Sequence, residues 1–333
     1  MTTRGGQRPV QRPKRRGLVL GAGGVLGAAW TIGALCALEE SEGFDVRDAE
    51  IIIGTSAGSV LASLLGAGVR PTELRDDLLG LPVSAGPLAG YTYDHERATG
   101  GSMPSRPRPG IGSPRLLLQS VRHPLSVTPM AALVSMLPAG RGSLWSVRHL
   151  VEAVTPSGQW SPHGQLWVVA MDYDSGRRVP FGRDGAPEAA LAEAVLASCS
   201  IPAWYAPVKI SGRRYVDGGT CSPTSVDLLA GRDLDEVFVL APMASADYDD
   251  PSSVAGKVER GFRRTVTRRM LREAGKVRES GASVTMLGPG RDDLEAIGAN
   301  MMDPARRQAV LETSLRTSAE ALQRADDDLS WSA

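Results

Sequence analysis

Short apolar runs alternate with helical patterns from the beginning of the chain. Residues 17–20 predict a buried strand that runs through a glycine turn into a helical pattern over residues 30–38. A second unit follows, with an isoleucine-rich strand at 50–53, a turn at 54–58 and a helix start at 60–65. Two successive strand-turn-helix units predict a parallel sheet with helices on both faces.

The same alternation continues towards the C-terminus. Further strands are predicted over residues 166–171, 178–181, 208–210, 214–216, 236–240 and 283–287. Helices are predicted at 191–198 and 304–325. We therefore expect one domain of class α/β, a three-layer α/β/α arrangement around a mostly parallel central sheet. Residues 231–333 would complete this same domain.

Residues 82–143 interrupt the pattern with a stretch rich in Pro, Gly, Ser and Arg around an apolar island at 116–137. Such a long irregular loop is uncommon unless it is functional. We expect a mobile cap insertion with short helices, such as one at 129–136, whose apolar island shelters an apolar substrate chain. A poorly ordered excursion is the alternative.

Two segments are strongly basic. Residues 1–16 carry five arginines and one lysine without an apolar stretch and predict a disordered tail, either simply solvated or attracted to anionic lipid. Between residues 254 and 272, Val254, Val258, Phe262 and Val266 recur every four positions among six arginines. The simpler interpretation is a surface helix whose apolar stripe packs on the sheet, and docking on a membrane surface is the alternative.

Composition narrows the function classes. The 333 residues carry 37 basic and 37 acidic side chains, so no net charge attracts nucleic acid. Three cysteines without a C-x-x-C pair suggest neither a disulfide framework nor a metal site. No apolar run is long enough to cross a membrane. We expect a soluble cytoplasmic protein, with peripheral membrane contact left open.

The turn at 54–58 has the form G-x-S-x-G, in which Ser56 would sit on a sharp strand-to-helix turn between Gly54 and Gly58. The motif alone is weak evidence in a chain with 38 glycines. Its position after an apolar strand strengthens it, because the following helix would aim its positive N-terminus at the reacting oxygen. Ser56 is thus a candidate nucleophile.

A serine nucleophile needs a base, and the sequence restricts the choice. The chain has four histidines, His95, His123, His149 and His163. None follows Asp217, as the Ser, Asp, His order of α/β-hydrolases would require. Asp217 ends a predicted strand before Gly218 and Gly219 and is the candidate base, although it could simply end the strand. Its pKa, ordinarily about 3.9, would have to be raised by desolvation.

The first glycine turn, residues 21–27, can aim the backbone N–H groups of Gly23, Gly24 and Val25 at a developing oxyanion. A bound dinucleotide would need similar donors. However, the second strand ends in Gly54 rather than in an acidic residue suited to a ribose. The two turns are expected at the ends of neighbouring strands, where oxyanion donors beside a nucleophile make chemical sense.

The chain resembles the patatin-like phospholipase family in the order of three motifs. These are the glycine-rich loop, the G-x-S-x-G serine and the Asp-Gly-Gly aspartate. Residues 197–202, with Pro207 and Val208 after them, are similar to the segment before the family's aspartate strand. The resemblance covers residues 17–230, which would form the catalytic domain. The family commonly has Arg or Lys at the position of Leu26 and Gly at that of Ala22.

The resemblance implies a Ser56–Asp217 dyad, an oxyanion hole at Gly23, Gly24 and Val25, an acyl-enzyme intermediate and hydrolysis of fatty-acyl esters of lipids. It implies no metal and no organic cofactor. Acyl transfer to an alcohol on the same dyad is the nearest alternative. A dinucleotide-binding oxidoreductase and a non-catalytic lipid-binding module are more distant ones.

Overall fold

The computed structural model describes residues 12–94, 107, 109–123 and 127–325. Predictions made for the remaining residues lie outside the described part of the chain. They concern most of the basic tail, His95, part of the cap insertion and the last eight residues.

Eight strands form one mixed sheet in the described part of the chain, in the order β5-β6-β3-β2-β1-β7-β8, with β4 paired to β3. The strands are β1 Arg16–Leu20, β2 Ile51–Thr55, β3 Leu166–Asp172, β4 Arg178–Phe181, β5 Val208–Ile210, β6 Arg213–Asp217, β7 Glu236–Leu240 and β8 Ser283–Leu287. The pairs among β3, β2, β1, β7 and β8 are parallel, whereas β4, β5 and β6 pair antiparallel. The predicted mostly parallel sheet is confirmed.

Helices cover both faces of this sheet and complete the predicted three layers. They are α1 Gly24–Glu42, α2 Ala57–Gly66, α3 Pro71–Leu78, α4 Pro114–Arg122, α5 Pro129–Met136, α6 Trp145–Val154, α7 Leu191–Ser198, α8 Val254–Glu279, α9 Arg291–Ile297 and α10 Arg307–Ala325. On one face, apolar side chains of α1, α2, α3, α6, α7 and α10 share a core with inward residues of the strands. On the other face, α8 packs against a second core. No helix among the described residues has both the length and the apolar character needed to span a membrane.

The register of the central strands brings the two glycine turns together. Strands β2 and β3 are buried throughout, because their apolar runs are covered on both faces. The pairing of β1 with β2 sets Leu20 beside Gly54. Both turns therefore leave the sheet at its carboxyl edge as neighbours.

The end of the predicted basic tail needs a correction, since Arg16 is the first residue of β1. The Arg15 guanidinium donates to Glu50, with an Nε to Oε2 distance of 2.7 Å, and its backbone N–H donates to Asp235 at 2.7 Å. These partners lie next to β2 and β7. The basic residues closest to β1 are therefore part of the fold.

The apolar island at 116–137 forms α4 and α5, and the predicted helix at 129–136 is confirmed as α5. Ser113 and Thr128 cap the two helices through their hydroxyl groups. The buried side chains of this island pack on Met171, Tyr173 and Val216 in a small core of their own.

The stripe predicted on α8 does not pack inward along its whole length. Val266 is buried, but the exposed fractions of Val254, Val258 and Phe262 are 79%, 68% and 38%. Two arginines of the same turns are buried instead, Arg260 and Arg263. The prediction that the stripe packs on the sheet is therefore wrong for the first three turns, because the buried arginines find partners outside the helix.

Candidate active site

Ser56 occupies the single residue between β2 and α2, with φ 53° and ψ −124°. A positive φ at a non-glycine residue costs roughly 1–3 kcal/mol and persists only where the surroundings enforce it. They do so here, because α2 passes so close to β1 that a methyl group on Gly58 would lie 2.1 Å from the Leu20 carbonyl oxygen. A methyl group on Gly54 would likewise lie 2.5 Å from the Ser59 Cα. Both glycines are required for this turn.

Two further serines hold the strained turn in place. The Ser56 N–H donates to Ser198 Oγ at 2.8 Å, and Ser198 Oγ donates to the Val169 carbonyl oxygen at 2.6 Å. Ser59 Oγ donates to the Ser56 carbonyl oxygen at 2.6 Å. The sequence did not assign these roles, although Ser198 lies within the segment 197–202 that carried part of the family resemblance.

Asp217 is the last residue of β6 and pairs with Ala170 of β3. Strand β3 lies between β6 and β2, the strand that precedes Ser56. Its carboxylate accepts hydrogen bonds from the Ser56 hydroxyl and from the Gly219 N–H, the latter at 2.7 Å. The backbone turns away directly after it, since a methyl group on Gly218 would lie 2.2 Å from the Val169 carbonyl oxygen. The structure therefore brings the predicted nucleophile and the predicted base into direct contact.

Burial dominates the electrostatics of Asp217. Only 6% of the residue is exposed, and desolvation raises its pKa to about 6. The hydrogen bonds from Ser56 and Gly219 favour the charged form and act against this rise. The carboxylate is thus a stronger base than an exposed aspartate and still ionised at neutral pH, as the sequence required.

The N-terminus of α1 supplies hydrogen-bond donors at the same edge. Within the described part of the chain, Gly21, Ala22 and Leu26 donate their N–H groups to backbone carbonyl oxygens. No such acceptor is present there for Gly23, Gly24 or Val25, which are the cap and first two residues of the helix. Gly24 and Val25 line the same cavity as Ser56. Free donors and nucleophile thus face one space.

This space is a cavity of about 140 Å³ that extends from Ser56 between the helices of one face. Its walls are almost entirely apolar and come from α1, α2, α3 and α6, with Leu88 and Tyr93 from the cap insertion. Among the described residues, the island at 116–137 contributes nothing to these walls. The prediction that the island shelters the substrate chain is therefore wrong, because α4 and α5 pack on the opposite face.

The sheet is mostly parallel, and a strained serine turn lies beside unengaged helix N–H groups at its carboxyl edge. This combination is typical of α/β acyl hydrolases. The sequence specifies the family within this class. A family model described as patatin-like phospholipase matches residues 18–230. The chain belongs to the patatin-like phospholipase family and is a lipid acyl hydrolase, as predicted from its motifs.

No curated protein sequence matches this chain. Similar solved structures include VipD from Legionella pneumophila, with a TM-score of 0.43 and 15% identity over 93% of this chain and 67% of VipD. Another is the type III effector protein ExoU, with a TM-score of 0.37 and 18% identity over 95% of this chain. The chain spans 54% of the length of ExoU.

Proposed function

We propose that Ser56 and Asp217 form a two-residue catalytic dyad that hydrolyses fatty-acyl esters of lipids through an acyl-enzyme intermediate. Ser56 Oγ attacks the carbonyl carbon of the ester while Asp217 accepts the hydroxyl proton. The tetrahedral oxyanion is held by the N–H groups of Gly23, Gly24 and Val25. The alcohol departs with the proton from Asp217 and leaves an acyl group on Ser56.

Deacylation repeats these steps with water. Asp217 accepts a proton from the water molecule that attacks the acyl-serine carbonyl carbon, and the same N–H groups hold the second oxyanion. Ser56 Oγ is then the leaving group and regains its proton from Asp217. The fatty acid is released in this step. Both half-reactions thus use one base, and neither requires a histidine.

The observation that carries this proposal is the buried hydrogen bond between Ser56 and Asp217 at the end of an apolar cavity. Burial gives Asp217 the basicity that the reaction needs, and it strengthens every electrostatic interaction in the site. The apolar walls suit an acyl chain. A cavity of about 150 Å³ accommodates a molecule the size of benzene, so the described space holds the first carbons of a chain.

Substitution of the nucleophile tests the proposal. Ser56→Ala should lose turnover of a p-nitrophenyl acyl ester and labelling by a fluorophosphonate, with an unchanged circular dichroism spectrum. The matched control is Ser63→Ala on the same helix, because Ser63 Oγ donates only to the Val60 carbonyl oxygen and does not reach the dyad. Full activity of the Ser56 variant would refute the dyad, and so would labelling at another serine.

Acyl transfer is the second candidate, favoured by the burial of both dyad residues, which are 5% and 6% exposed. A site that admits little water gives an alcohol acceptor an advantage in attacking the acyl-serine. Product analysis with glycerol or a lysophospholipid present should distinguish the outcomes. Transacylated lipid in excess of free fatty acid would assign the chain to acyl transfer.

A further inference from the structure

The first three turns of α8 have an inverted polarity. Val254, Val258 and Phe262 point to the solvent, with exposed fractions of 79%, 68% and 38%. Arg260 and Arg263, only 3% and 0% exposed, take the buried side. A surface helix ordinarily buries its apolar residues and exposes its arginines. The burial of the two arginines therefore needs an explanation within the fold, and the exposed apolar row suggests a binding partner outside it.

Hydrogen bonds from the two arginines to neighbouring loops supply the cause. Arg260 binds the Asp249 carboxylate through two hydrogen bonds, from Nε at 2.5 Å and from Nη2 at 2.9 Å. Arg263 donates to Glu259 at 2.6 Å and to the Pro242 carbonyl oxygen at 2.6 Å. The bonds to Asp249 and Pro242, which lie outside the helix, fix its rotation about its axis. The valines and the phenylalanine are consequently held outward.

These turns lie beside the active site. The chain leaves β7 at the carboxyl edge of the sheet. Pro242, the second residue after β7, packs on the glycine turn at residues 21–27, which we call the oxyanion loop. A methyl group on Gly23 would lie 2.6 Å from Pro242 Cγ. Arg263 therefore connects α8 to the loop that faces Ser56. The exposed row extends over about 12 Å from Val254 to Phe262 at the rise of an α-helix.

On the helix itself, the exposed charged side chains around the row are positive. Four basic side chains between residues 254 and 272 are exposed, namely Lys257, Arg264, Arg268 and Arg272. Glu259 is the only acidic residue before Arg272 on this helix, and it is engaged by the two buried arginines. Apolar side chains within a basic surface complement an anionic lipid layer, where apolar groups enter the interface and cations bind head groups.

We propose that the first three turns of α8 form a docking surface for anionic lipid membranes. Val254, Val258 and Phe262 insert at the boundary between head groups and acyl chains. Lys257, Arg264 and Arg268 bind the anionic head groups. The docked membrane lies next to the oxyanion loop, so that a lipid passes from the bilayer to Ser56 over a short path.

Vesicle binding tests this surface independently of catalysis, in a Ser56→Ala background. The protein should sediment with vesicles of phosphatidylcholine mixed with phosphatidylglycerol and much less with phosphatidylcholine alone. The pair Val258→Ser and Phe262→Ser should weaken the partition coefficient about tenfold or more. The pair Arg264→Glu and Arg268→Glu should weaken it about tenfold on anionic vesicles only.

Val121→Ser is the matched control, because Val121 is equally exposed at 73% but lies on α4. Its binding should be unchanged. Unaltered binding of both α8 pairs would overturn the proposal, as would loss of binding only in the α4 variant. A dimer in solution that Phe262→Ser converts to a monomer would assign the row to a second copy of the chain instead.

Activity with Ser56 intact separates this proposal from the proposed function. The Val258→Ser and Phe262→Ser pair should hydrolyse a soluble p-nitrophenyl ester at the unaltered rate and vesicle phospholipid at least about tenfold more slowly. If the unsubstituted protein binds anionic vesicles but hydrolyses neither substrate, the docking surface stands and the proposed hydrolysis fails. Equal rates of the pair and the unsubstituted protein on vesicles would refute the docking surface.

Discussion

In the proposed mechanism, Asp217 links the activity of this protein to pH, because its carboxylate must be ionised to accept the Ser56 proton. Desolvation raises its pKa to about 6. We therefore expect kcat/KM for a soluble ester to be constant above pH 7 and to fall about tenfold per pH unit below pH 6. A pH–rate profile in the free-enzyme regime measures this value. Constant activity down to about pH 4, the range of an ordinary aspartate, would contradict the role of burial.

The same shift makes Asp217 a source of instability at neutral pH. Its folded-state pKa of about 6 lies above the ordinary 3.8, so the folded form holds the proton more tightly than the unfolded chain. The stabilisation by this proton is complete below pH 3.8 and is lost as the pH rises through 6. Two pKa units correspond to about 3 kcal/mol.

Asp217→Asn should therefore raise the free energy of unfolding at pH 8, by up to about 3 kcal/mol, while it abolishes turnover. The gain should fade as the pH falls towards 4. Denaturant titrations of both proteins at several pH values would measure it. An equal difference at every pH would mean that packing, and not the buried charge, separates the two proteins.

At the level of single residues, the sequence could point to Ser56 and Asp217 as candidates because each lies at the end of a strand with a recognisable local signature. Their contact depends on the sheet order, in which only β3 lies between β2 and β6. Ser198 could not be assigned a role, because its hydrogen bonds to Ser56 and Val169 depend on how α7 packs against the sheet. No local pattern encodes that packing.

Among the structural elements, the end of α3 lies between the Ser56 cavity and a neighbouring space of about 550 Å³, together with Tyr93 and Arg307. Leu78, the last residue of α3, lines both spaces, whereas Leu74 lines only the first. Leu78→Ala should join the two spaces and admit longer acyl chains. Leu74→Ala removes the same atoms without opening this passage.

We expect Leu78→Ala to raise the ratio of kcat/KM for a p-nitrophenyl ester with a long chain over one with a short chain, by about tenfold. This ratio is insensitive to the fraction of folded enzyme, which matters because either substitution costs about 2–5 kcal/mol of stability. A similar change in the Leu74→Ala variant would show that cavity volume alone, and not the passage, determines chain length.

The bounds of elements with strong periodicity were predicted well. The face that α8 buries was not predicted. The bounds of α5 and α7 and of four strands agree with the sequence pattern. A helical pattern ranks valine above arginine for burial. It cannot anticipate that Asp249 and the Pro242 carbonyl oxygen, both outside the helix, satisfy two buried guanidinium groups. The walls of the cavity were missed similarly, since they combine α3 and α6 from distant parts of the chain.

For the whole molecule, the residues beyond the family match are structurally necessary. The match ends at residue 230, before β7, which lies between β1 and β8 in the sheet's parallel part. Helix α10 packs along α1, with Ser314 Oγ donating to the Trp30 carbonyl oxygen at 2.6 Å. Truncation after 230 would expose β1 as an edge strand and uncover the apolar face of α1.

A chain ending at residue 230 should therefore aggregate on expression, and one ending at 325 should remain folded with a cooperative thermal transition. Size-exclusion chromatography and calorimetry on the two truncations would decide this. A monomeric, cooperatively folding 230-residue form would show instead that residues 231–333 are a separate addition to the domain.

The uncapped N-terminus of helix α1 should make the stability of the whole protein depend on what is bound at Ser56. Its N-cap is a glycine without a side chain, and its first turn has no acidic residue. A helix end left in this way gains about 1 kcal/mol from an oxygen that accepts its free N–H groups. Phosphonylation of Ser56 should therefore raise the melting temperature by roughly 1–2 °C, with no shift in Ser56→Ala. In the proposed mechanism, each reacting lipid therefore supplies for a moment the cap that the sequence of α1 lacks.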